Sequence, residues 1–122
     1  MAAPSIVFEA PVSAPGLLPS RSRPIDLVHL AALTSGDKGL EIEALQAFVR
    51  QARQTVREMA AGERTAIAAA ARRLANVATG VGAFKVAEAA ARLEETGGEA
   101  ADVARLGAAV LESENFVLKL SR

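Results

Sequence analysis

All five prolines of this 122-residue chain fall within its first 24 residues, and from Ile25 to the end proline does not occur. Proline breaks a helix interior because it lacks the amide N–H and its ring clashes with the preceding turn. Its absence leaves the long remainder open to helix, and the apolar residues there recur at steps of three and four, as the stripe of an amphipathic helix requires. Alanine, the best helix former, supplies much of the 51% apolar content, while aromatic residues make up only 3%. The buried area must therefore come from closely approaching helices, and the expected fold is all-α: an up-and-down four-helix bundle with a short extra helix in front. At this length one core is expected.

The opening stretch, residues 1–23, reads as a flexible tail in which Ile6, Val7 and Phe8 form the stickiest patch, and residues 24–122 read as the bundle. The first helix is expected over Ile25 to Leu33 with Pro24 at or just before its first turn, and Thr34, Ser35, Gly36 and Asp37 break it. Asp37 is placed to cap a second helix from Lys38 to about Ala60, whose inner face carries Leu45, Phe48, Val49, Ala52, Val56 and Met59. Gly62 ends it. A third helix from about Glu63 turns Ile67, Ala70, Ala71, Leu74, Val77 and Ala78 inward and shows Arg72, Arg73, Asn76 and Thr79 on its other face. After Gly80 and Gly82 a fourth helix, Ala83 to about Glu95, is expected to bury Phe84, Ala87, Ala90 and Leu93 or a close rotation of that set. Thr96, Gly97 and Gly98 turn the chain into a last helix from about Glu99 to Leu120, with Val103, Leu106, Val110 and Val117 inward. Short connections between such helices favour antiparallel neighbours.

Lysine plus arginine equals aspartate plus glutamate at 14 each, which removes the basic footprint by which nucleic-acid binders neutralise phosphates. No apolar run is long enough for a membrane span or a signal-peptide core. Cysteine is absent, so there is neither a disulfide framework nor a thiolate for zinc or nucleophilic chemistry, and a reducing cytoplasm fits. The sole histidine, His29, has only Asp26 at i−3 as a nearby carboxylate, which points to a packed helix-edge residue rather than a metal ligand or general base. Gly80-Val81-Gly82 lacks the lysine and hydroxyl residue of a phosphate loop, and Glu94 and Glu95, adjacent on a helix, point in different directions. No catalytic residue, metal or cofactor is expected.

One stretch carries more information. Ala71-Arg72-Arg73-Leu74-Ala75-Asn76-Val77-Ala78-Thr79-Gly80-Val81-Gly82-Ala83 resembles the core pattern A-H-x-L-K-G-x-A-x-x-V-G-A of histidine phosphotransfer (HPt) domains. Ala71, Leu74, Ala78, Val81, Gly82 and Ala83 occupy matching places. Ala87 with Leu93-Glu94 downstream, and Ile25-Asp26-Leu27-Val28-His29-Leu30 with the Gly36-Asp37 turn upstream, extend the similarity over about residues 24–95, closest to small bacterial versions of the domain. The resemblance implies a four-helix bundle and a role in two-component signalling. An intact member accepts a phosphoryl group on an imidazole and exchanges it with the aspartate of a receiver domain, and a glycine lets the receiver approach.

Here Arg72 stands at the histidine position, Ala75 at the lysine and Asn76 at the glycine. A guanidinium stays protonated and has no lone pair to offer phosphorus, and no histidine follows His29. The resemblance then implies a module that has lost phosphotransfer and kept docking, with Arg72, Arg73, Ala75, Asn76 and Thr79 as the partner-binding face and a response-regulator receiver or a histidine kinase as the partner. Two alternatives remain at this level: a self-associating or adaptor subunit with a repurposed surface, a homodimer among them, and a phosphotransfer protein using His29.

Overall fold

A computed structural model describes residues 23–60 and 62–121; the expected tail, but for Arg23, lies outside them. Five helices and no strand occur among the described residues: α1 (Leu27–Thr34), α2 (Lys38–Ala60), α3 (Arg64–Val81), α4 (Phe84–Thr96) and α5 (Ala100–Leu120). The main contacts join α2 to α3, α3 to α4, α4 to α5 and α5 back to α2, which closes a ring with α3 and α5 at opposite corners. Ion pairs give the directions. Lys85 meets Glu112 and Arg92 meets Asp102, so numbers rise along α4 as they fall along α5. α1 lies against α2 and α3. None of these helices is long and apolar enough to cross a membrane.

Local chemistry sets the boundaries. The Asp37 carboxylate accepts the Leu40 N–H at 3.0 Å, capping α2 as its spacing predicts. α1 begins later than Pro24 suggests: Asp26 is its N-cap and accepts the N–H groups of Val28 at 3.0 Å and His29 at 3.2 Å. A carboxylate that satisfies two orphan amides outweighs the convenience of a proline φ, and the helix opens at Leu27. Ile25 and Leu30, both fully buried, then occupy the two positions of a hydrophobic staple across that N-terminus. α3 runs through Gly80 and ends at Gly82, where the Gly82 N–H donates to Thr79 O and the Ala83 N–H to Ala78 O, the paired bonds of a Schellman turn.

The core follows the expected stripes with one rotation. Leu45, Phe48, Ala52 and Met59 of α2, Ile67, Ala70, Ala71, Leu74 and Ala78 of α3, and Leu106, Val110 and Val117 of α5 are buried, while Val49, Val56, Val77 and Val103 pack half-buried at its edge. On α4 the inward set is Val86, Ala89, Ala90 and Leu93. Phe84, expected inside, is 40% exposed, because the turn at Gly82-Ala83 starts the helix with Ala83 buried and points position 84 sideways.

Two buried polar residues on α5 escape the apolar pattern. Asp102 is held between Arg92 at 3.5 Å and Arg105 at 3.2 Å, tying α4 to the first turn of α5, where a carboxylate also suits the helix dipole. Ser113 is 1% exposed, and its hydroxyl finds no hydrogen-bond partner among the described residues. An unpaired buried hydroxyl costs on the order of 1 kcal/mol or more. Ser113→Ala is therefore expected to raise the melting temperature by roughly 4 °C; a lower melting temperature would mean that the hydroxyl is bonded in solution.

Candidate partner-binding face

The outward face of α3 is fixed by what its inner face does. Ile67, Ala70, Ala71, Leu74, Ala78 and Val81 are committed to the core, so the 3.6-residue turn sends Arg72, Arg73, Asn76 and Thr79 out into solvent. Arg72, Asn76 and Thr79, at successive steps of four and three, make one strip, with Arg73 on its flank. Ala75 does not share this exposure; it is half-buried and packed against the core, so of the five expected face residues four lie open.

The two arginines splay to different neighbours. Arg72 Nε lies 3.3 Å from Glu94 Oε2 on α4, and Arg73 Nη2 lies 3.8 Å from Glu58 Oε1 on α2. The Arg72 side chain keeps 74% of its surface in water and that of Arg73 keeps 63%. At such exposure an ion pair contributes about 0–1 kcal/mol, so a competing carboxylate on a partner displaces either glutamate at small cost. Thr79 Oγ1 donates to its own helix at Ala75 O, 2.8 Å away, and turns only acceptor capacity outward. The face is therefore cationic at one end and neutral toward Thr79.

His29 sits past that neutral end. Its Nε2 is 3.1 Å from Gly80 O; a carbonyl only accepts, so the nitrogen donates and the proton resides on Nε2. The ring meets Phe84 edge to face, with centroids 5.3 Å apart and an interplanar angle of 74°. These contacts fasten α1 to the turn between α3 and α4. Among the described residues no three His, Cys, Asp or Glu side chains come together where a metal ion could sit.

Glu94 and Glu58 are the residues of this face that the sequence leaves hidden. Each reaches its arginine from another helix, and no spacing within one helix signals such a pair. No protein family, curated protein or solved structure matches this chain.

Proposed function

We propose that the protein is a non-catalytic, HPt-like interaction module that acts in the cytoplasm, docking its α3 face on a response-regulator receiver or a histidine kinase and modulating a phosphorelay without carrying phosphate. The observation that carries this reading is the placement of Arg72: it stands exposed on the outer face of α3, at the position where the resemblance expects the phosphorylated histidine. An imidazole there would offer phosphorus a lone pair; a guanidinium offers a fixed cation with a fork of donors. The receiver partner that the resemblance implies has an acidic, metal-binding pocket, and a guanidinium entering it would form charge-assisted bonds to carboxylates in place of part of the metal's charge. Glu94 occupies Arg72 until then. The commitment of His29 Nε2 to Gly80 O supports docking over phosphotransfer through His29.

The test is binding of the purified chain to receiver domains and kinase dimerisation domains of its own organism. Arg72→Glu is expected to weaken a specific complex at least about tenfold while the circular dichroism stays helical, since the side chain lies in solvent. Unchanged affinity would remove Arg72 from the interface, and acid-labile phosphate on His29 after incubation with a phosphorylated receiver would overturn the non-catalytic reading.

A further inference from the structure

α5 breaks the rule that its neighbours obey. A surface helix of a small domain turns its apolar stripe to the core and its charges to water. α2 does so with Glu43, Arg50, Gln51 and Gln54 outward, and α4 with Lys85, Glu88, Arg92 and Glu95. α5 carries large apolar residues on both sides. Its inner side buries Leu106, Val110 and Val117, while its outer side exposes Ala101, Ala104, Ala108, Leu111, Asn115 and Leu118. At 3.6 residues per turn the two sets lie on opposite sides of the helix, so the outer set is not the fringe of the core stripe. Leu111 and Leu118 are 56% and 55% exposed.

The outer residues follow one another at steps of three, four, three, four and three, the a and d positions of a helix built to lie along another helix. Their sizes are divided. The N-terminal half of the seam is all alanine, and the C-terminal half is Leu111, Asn115 and Leu118. A second α5 turned end for end lays its large half on the small half of the first: Leu118 against Ala101, Asn115 against Ala104 and Leu111 against Ala108, with the same contacts repeated by symmetry. That is the self-complementarity that a twofold interface requires. The flanking charges agree with this order. It brings Arg105 of one copy beside Glu112 of the second, where each adds to the pair it makes within its own chain, with Asp102 and with Lys85. The parallel order would stack leucine on leucine at one end and alanine on alanine at the other, holding the helix axes apart where the alanines need them close.

We infer that the outer face of α5 is a homodimer interface, in which two copies pair antiparallel about a twofold axis between Ala108 and Leu111. α3 lies at the opposite corner of the bundle from α5, so both Arg72 faces stay open in such a dimer, and the inference stands whatever Arg72 meets.

Sedimentation equilibrium of the full chain tests it. The expected mass is twice the 12.6 kDa of one chain, and the Leu111→Glu, Leu118→Glu double variant is expected to sediment as a monomer with unchanged helicity, its dimerisation weakened at least about 100-fold. The cysteine-free background reads the order directly: chains carrying Ala104→Cys and Asn115→Cys, mixed and oxidised, are expected to join to each other in preference to themselves. A wild-type monomer at all concentrations, or a double variant that remains dimeric, would overturn the interface, and preferential self-joining of Asn115→Cys would overturn its antiparallel order.

Discussion

Gly82→Ala is expected to destabilise the bundle by about 3 kcal/mol or more, and two separate costs add to that figure. The backbone at Gly82 sits at φ +86°, the left-handed region that closes the Schellman turn of α3, and a residue with a Cβ loses roughly 1–2 kcal/mol there. The Cβ would also lie 2.9 Å from the carbonyl oxygen of Asp26 and 3.4 Å from His29 Cβ. Asp26 cannot withdraw cheaply, because its N–H is bonded to Gly82 O at 2.9 Å and its carboxylate caps α1. The added methyl therefore pushes α1 off the end of the bundle and takes with it the bond from His29 to Gly80 and the buried Ile25 and Leu30. Gly80 is the control, since a Cβ there meets nothing within 4 Å and helical alanine is favoured over glycine by about 0.5–1 kcal/mol. Urea denaturation followed by circular dichroism separates the two: a loss for Gly82→Ala of only about 1–2 kcal/mol, the backbone cost alone, would mean that α1 does not bear on Gly82 in solution, and a midpoint equal to that of the wild type would overturn the left-handed turn as well.

Much of this architecture is visible in the sequence because local rules set it. Asp37 caps the helix that follows it, Gly82 and Gly97 end α3 and α4 in left-handed turns, and the inward residues of α2, α3 and α5 lie on the stripes their spacing marks out. Legibility stops where one helix answers to another. Phe84 is displaced by a turn geometry that its own size does not reveal, and Glu94 reaches Arg72 across a helix interface. Asp102 and Ser113 could have been found, for they stand at three- and four-residue steps from Leu106, Val110 and Val117; their polarity conceals that they fill the stripe. The outer seam of α5 is likewise present in the spacing, but the assumption of one stripe per helix hides a second. The α3 face was legible as a surface through the inward commitment of its neighbours, whereas the splaying of Arg72 and Arg73 toward different helices depends on the ring order of the bundle.

Leu74→Ala is expected to cost about 3 kcal/mol, within the range for deleting a leucine from a packed core. Leu74 is fully buried, and its neighbours on the same face of α3 are Ala71 and Ala78. With alanines on either side, α3 has no long side chain that can swing into the space vacated, so the void persists and the cost stays well above the transfer term alone. Against a total stability of about 5–15 kcal/mol for a domain of this kind, the lowered denaturation midpoint is easily read, and a fall of less than about 1 kcal/mol would mean that the helices close over the gap. Two residues away Arg72 projects into solvent. Arg72→Glu gives up a surface ion pair and sets a second carboxylate near Glu94, changes of at most about 1 kcal/mol, while Leu74→Ala leaves every outward side chain of α3 in place. If α3 serves as a docking helix, the two substitutions must dissociate: at temperatures where both variants are folded, Leu74→Ala keeps the affinity and loses stability, and Arg72→Glu keeps the stability and loses affinity. A loss of affinity in both would place the recognition in the shape of the bundle instead of the cation at its surface.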